Sequence, residues 1–304
     1  MYYLTYGLLY LLSLLPMPIL YVLSDGIYLL LYYVFGYRKK VVMGNLAIAF
    51  PEKSVQERTA IAKKFYRNFV DNFIETIKLL SASSKWIQKH FVMDSDPFQP
   101  VYESGRKCQL HLGHNFNWEI ANVAMPYYVR FPFLVVYMPI KNKVVDRLFM
   151  HLRTRNGSVM LPATDMRTAM VPWRNTQYLL TLVADQAPGD VNRAYWLNFF
   201  GRPTPFVRGP ESGARIGNIP VIFTQLYKVK RGYYRAHLEM GAEEPASLPE
   251  GELTRRYIRF LEKAIRKHPD MWLWSHRRWK WEWKEEYRRM WIDEEAFPAT
   301  GHVS

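Results

Sequence analysis

His114 stands where an imidazole can work. The segment Leu110-His111-Leu112-Gly113-His114-Asn115-Phe116-Asn117-Trp118-Glu119 runs from an apolar stretch, through glycine, into an expected helix start. A histidine in that place sits at the carboxyl edge of a sheet, where α/β folds put their ligand crevice. Glu119, five positions on, is expected to fold back onto the imidazole, fixing its tautomer and stabilising the imidazolium. Such a pair can draw a proton from an alcohol. No serine or cysteine nucleophile is needed when the acceptor alcohol itself attacks an activated thioester. The spacing alone carries little weight in a chain with 8 histidines and 27 carboxylates, and a structural histidine after a strand is the plainer alternative. Asp185 and Gln186 close a second apolar run on the same expected edge, where pocket lining and a turn or capping role fit equally well. His111 and His276 are read as structural. With a single cysteine, Cys108, and no His-x3-His spacing, neither a disulfide framework nor a metal site is expected.

The elements that must position these residues can be read from periodicity. Ser54 and Glu57 form a capping-box pattern ahead of Ile61, Phe65, Phe69, Phe73 and Ile77, a single apolar helical stripe expected to be core. From about residue 107 short apolar runs alternate with helical stretches. Strands are expected at Cys108 to Leu112, Phe131 to Met138, Ser158 to Leu161, Tyr178 to Ala184, Val221 to Tyr227 and Tyr233 to Met240. Helices are expected at Val144 to Arg153 and Met166 to Trp173. The alternation predicts an α/β fold with a mixed or mostly parallel sheet covered on both faces.

The first 37 residues hold one charged side chain, Asp25, and Tyr2 to Ser24 is long enough for one membrane-crossing helix. A break is expected near Pro16/Pro18 or at Asp25, with the second apolar run, Gly26 to Tyr37, lying in the interface. No cleavage site ends the run, so it is expected to stay attached as an anchor over 1–37, with the catalytic domain over 38–304. Arg38, Lys39 and Lys40 place that domain on the cytoplasmic side. Net charge is +14, which demands an acidic partner: nucleic acid, an anionic membrane surface or an acidic protein. Residues 253 to 293 interleave basic side chains with Trp272, Trp274, Trp279, Trp281 and Trp283, a composition shared by nucleic-acid platforms and lipid-facing surfaces. The apolar anchor favours the membrane over nucleic acid.

Gly113-His114-Asn115-Phe116-Asn117-Trp118-Glu119 resembles the His-x4-Glu block of the bacterial lipid A late acyltransferases, relatives of the glycerophosphate acyltransferases. Further blocks resemble that family in the same order: Tyr37-Arg38-Lys39-Lys40-Val41-Val42, Phe50-Pro51-Glu52, Arg155-Asn156-Gly157, Ala184-Asp185-Gln186, Phe199-Phe200-Gly201-Arg202-Pro203 and Trp272 to Lys280. The departure is Phe116, where many members carry glycine, and it bears on the acceptor pocket. The resemblance implies a glycerolipid-acyltransferase-like fold at the bacterial inner membrane. It implies transfer of an acyl chain from acyl carrier protein thioester to a hydroxyl of a lipid A precursor, with no other cofactor. His114 and Glu119 would be catalytic, and Asn117, Arg155, Asp185 and Gln186 would bind substrate, Arg155 at a phosphate or the thioester oxyanion. An ornithine lipid or a glycosylated phosphatidylinositol is the alternative acceptor. A non-catalytic basic adaptor is the competing class; it predicts that His114→Ala is silent while charge reversal at Arg277 and Arg278 abolishes function.

Overall fold

The structure, a computed structural model, describes residues 1–94 and 96–293; the last residues of the expected catalytic domain, 294–304, lie outside the described residues. The chain opens with helices α1 (Tyr2–Leu14) and α2 (Met17–Leu29), parted at Pro16, one of the breaks expected. The second helix runs unbroken through Asp25 and continues as a π-helical turn, Leu30–Val34. By length and composition Met17–Val34 is able to cross a membrane. Both helices lie along α4 (Val55–Lys78), which follows α3 (Lys39–Ala49) and carries the expected capping box at Ser54 and Glu57. Lys78 Nζ donates to the end carbonyls of α1, at Ser13 and Leu15, and Ser24 Oγ of α2 donates to Asp71 of α4 at 2.6 Å. Arg231 then pairs with both Asp71 (2.6 Å) and Asp25 (2.9 Å). The outward sides of α1 and α2 remain apolar and exposed, at Leu4, Leu8, Leu11, Val22 and Val34 among others.

After α5 (Ser84–His90), β1 (Phe91–Met93) and α6 (Phe98–Glu103) the chain enters the α/β layers. In order these are β2 (Cys108–Leu112), α7 (Trp118–Ala124), β3 (Phe133–Tyr137), α8 (Lys143–Thr154), β4 (Val159–Pro162), α9 (Met166–Ala169) and β5 (Leu179–Val183). They are followed by the two-stranded ribbon β6 (Ala194–Phe199) and β7 (Arg202–Val207), then α10 (Gly209–Ile216), β8 (Val221–Lys230), β9 (Tyr233–Ala242) and α11 (Glu252–Lys267). Seven strands form one sheet in the order β1-β9-β8-β2-β5-β3-β4, parallel except for the β8–β9 hairpin. The expected mostly parallel, helix-covered sheet is what the chain forms. Every residue of β2, at its centre, is buried, including the polar Gln109 and His111, whose side chains meet each other at 2.8 Å. Helices α4, α5, α7 and α8 gather over one face; α10 and α11 cover the other, where Tyr257 donates to Leu112 O at 2.7 Å.

Candidate active site

Parallel pairing sets the site. Strands β2 and β5 are neighbours in a register that puts Leu112 opposite Val183. Two residues beyond each strand end, His114 and Asp185 therefore emerge side by side at the carboxyl edge of the sheet. Asp185 Oδ1 lies 2.5 Å from His114 Nδ1, and Asp185 Oδ2 accepts the backbone N–H of His114 at 2.8 Å and Trp272 Nε1–H at 2.6 Å. Burial opposes ionisation of Asp185, but the imidazole charge and these donors outweigh it and hold the carboxyl below its usual range. A carboxylate only accepts, so Nδ1 carries the proton, and in the neutral imidazole Nε2 presents a lone pair. Gln186 sits 3.2 Å from that Nε2 and lines the same cavity.

Gly113 is required by close approach. A Cβ there would stand 2.7 Å from Leu261 Cδ1 and 3.0 Å from Asp185 Oδ2. The loop beyond it is stitched to residues 271–273: Phe116 N–H donates to Met271 O at 3.0 Å, and Leu273 N–H donates to His114 O at 3.1 Å. This is why the tryptophan-rich block lies against the histidine loop.

Glu119, expected on the imidazole, is elsewhere. It is buried in the first turn of α7 and binds Arg153 of α8 through both carboxylate oxygens, at 2.5 and 2.9 Å, with Trp118 Nε1 donating at 3.1 Å. Helix α7 turns it away from His114, and a guanidinium with matched geometry claims both oxygens. Glu119, Arg153 and His114 nevertheless line one cavity. Asn117, expected to bind substrate, is fully buried and caps α7: its Oδ1 accepts the N–H groups of Glu119 and Ile120. Arg155 faces away from the cavity; its guanidinium donates to the carbonyls of Leu79 and Ala82, closing the end of α4. His111 is fully buried, and burial pushes its pKa down to about 3, as befits a structural imidazole.

The cavity measures about 720 Å³, within the range of small-ligand sites. Its walls are mostly apolar: Leu110, Leu112, Met125, Phe133 and Leu238 line it, with His114, Gln186, Glu119 and Arg153 as the polar groups. Sequence reasoning missed Arg153 and Trp272 as members of this constellation. The basic, aromatic C-terminal stretch divides: Trp272 and Trp274 are buried and Arg278 is buried over the Phe199 and Phe206 rings, whereas Arg256, Lys263, Arg266, Lys267, Arg277, Lys280, Arg288 and Arg289 are exposed.

A histidine held by a buried carboxylate in the wall of a mostly apolar cavity is an arrangement able to take a proton from a hydroxyl beside an apolar group. The chain belongs to the bacterial lipid A biosynthesis acyltransferase family, whose profile matches residues 1–281. The resemblance drawn from the motif blocks is thus borne out. Over 289 residues, 92% of each chain, it is 26% identical to the lipid A biosynthesis lauroyltransferase of Escherichia coli K12. It is 21% identical over 285 residues to the palmitoleoyltransferase of the same organism and to a lipid A biosynthesis acyltransferase of Shigella flexneri, again across 92% of each chain.

Proposed function

We propose that this acyltransferase moves a fatty acyl chain from an acyl carrier protein thioester to a hydroxyl of a lipid A precursor, working at the cytoplasmic face of the bacterial inner membrane with His114 as general base. The observation that carries this reading is the Asp185-held imidazole whose Nε2 is at an apolar cavity large enough for an alkyl chain. The acceptor hydroxyl displaces Gln186 from Nε2, gives up its proton there, and its oxygen bonds to the thioester carbonyl carbon. Collapse of the tetrahedral intermediate breaks the carbon–sulfur bond, and His114 returns the proton to the departing thiolate. Asp185 keeps Nδ1 protonated and balances the imidazolium, the part first expected of Glu119. Glu119 neutralises and fixes Arg153 in the cavity wall.

The exposed apolar sides of α1 and α2, followed by Arg38, Lys39 and Lys40, support a membrane-seated enzyme. The strongly basic chain suits an acidic donor protein. The test is mass spectrometry of a tetra-acylated lipid A precursor incubated with purified enzyme and either acyl carrier protein or coenzyme A thioesters. A gain of one acyl mass with the carrier-protein donor is expected. Product only with coenzyme A, or only on an ornithine lipid or glycosylated phosphatidylinositol acceptor, would replace the donor or the acceptor assignment.

A further inference from the structure

Behind the catalytic loop lies a carboxylate that the reaction scheme does not use. Glu75, on α4, is 1% exposed. Its Oε2 accepts Asn117 Nδ2–H at 2.9 Å and Tyr234 O–H at 2.7 Å, and its Oε1 accepts Tyr21 O–H at 2.9 Å. Three donors from three elements thus converge on one buried group: Asn117 from the catalytic loop, Tyr234 from β9 and Tyr21 from α2. Burial, with Asp71 nearby, pushes the Glu75 carboxyl up to about 7, although the bonds from Tyr234, Asn117 and Tyr21 each favour its charged form.

Asn117 is the hinge of the arrangement. One end of its amide caps the helix that begins with Trp118 and Glu119; the other end is held by Glu75. Trp118 sets its ring edge-on to His114 at 5.7 Å, and Glu119 sets Arg153. Fixing Asn117 therefore fixes the wall of the cavity beside the base. We propose that Glu75 is a positioning residue for acyl transfer, holding Asn117 and so the His114–Glu119 loop in register with the sheet, and that Tyr21 makes the seat of the N-terminal helices part of the same tie. This rests on acyl transfer at His114.

The bond has a direction, and the direction can be reversed. Asn117→Asp keeps the cap but sets a second carboxylate against Glu75 Oε2, and kcat should fall by about 100-fold. Adding Glu75→Gln lets the new amide donate to the carboxylate at position 117, whose other oxygen still caps α7, and kcat should return to within about fivefold of wild type. Glu75→Gln alone should cost a few-fold. A second, independent cut is Asn117→Ser, which keeps a capping oxygen and severs the tie without adding charge; it should lower kcat about tenfold with KM for the thioester little changed. Wild-type activity on the lipid acceptor is the control that separates this proposal from the functional one. With that control active, a double variant no better than Asn117→Asp, or an Asn117→Ser enzyme with wild-type kcat, would overturn the role of Glu75.

Discussion

Asp185→Asn is the substitution that most sharply separates the observed site from the one first expected. Asp185 Oδ2 accepts two donors, the His114 backbone N–H and Trp272 Nε1–H, whereas Oδ1, among the described residues, meets the imidazole alone. An asparagine has one acceptor oxygen, which will settle where two donors call for it. Its NH2 then faces Nδ1, drives the imidazole proton to Nε2 and removes the lone pair proposed to take the hydroxyl proton. The charge is lost as well. Opposite charges 2.5 Å apart attract by roughly 6–7 kcal/mol at an effective dielectric constant near 20. His114 is 24% exposed on its side chain, so solvent screens part of this. About 3–5 kcal/mol of transition-state stabilisation remains, a loss of roughly 10²–10⁴ in kcat. The assay is single-turnover acyl transfer at saturating donor, with circular dichroism to show that the variant is folded. Glu119→Gln, measured beside it, keeps the hydrogen bonds to Arg153 in part and should lose less. If Glu119→Gln abolishes turnover while Asp185→Asn retains most of it, the Asp185–His114 pairing is not the working dyad.

Other consequences follow from the same geometry. Gly113→Ala forces a methyl against Leu261 and Asp185 Oδ2 and should cut kcat by about 10² or more, with the thioester KM changed far less. Trp272→Phe removes one donor from Asp185 and should cost about tenfold in kcat, with the acid limb of the pH–rate profile moving upward as the carboxyl becomes easier to protonate. Arg231→Met leaves the buried Asp71 without its guanidinium and should destabilise the fold by about 2 kcal/mol or more in denaturant titration, loosening α2 first. The pH dependence of stability gives a signed test of Glu75. Its folded pKa, about 7, lies above the ordinary 4.5, so between these values the folded state holds more protons than the unfolded one and stability falls as pH rises. The span amounts to about 3 kcal/mol, and Glu75→Gln should flatten the fall in melting temperature over that window. A melting temperature that rises with pH there in wild type, and is flattened by the substitution, would give the wrong sign.

Much of the frame was legible because it is local. The Ser54/Glu57 box, the apolar stripe of α4 and the six expected strands depend on spacings within a few residues, and each strand was found within a few residues of its place. His114 was legible for the same reason, as a histidine one residue past a glycine at a strand end. Its partner was not. Asp185 is 71 residues away in sequence, and only the β2–β5 register brings it to Nδ1, so the nearer Glu119 looked like the partner. Arg153 was invisible because helix α8 meets α7 only in three dimensions. The tryptophans of the C-terminal block misled for a different reason: composition reports how much aromatic surface there is, not which side of the chain is buried. Trp272 and Trp274 turn inward against Phe199 and Phe50, and only the packed fold decides that.

The most direct measurement is the rate of acyl transfer to a tetra-acylated lipid A precursor by wild type and by His114→Ala, read by mass spectrometry with acyl carrier protein thioesters as donors. General-base catalysis by His114 predicts one added acyl mass with wild type and a rate lower by about 10³ or more with the variant. Equal product from the two enzymes would contradict it, because the base would then lie elsewhere.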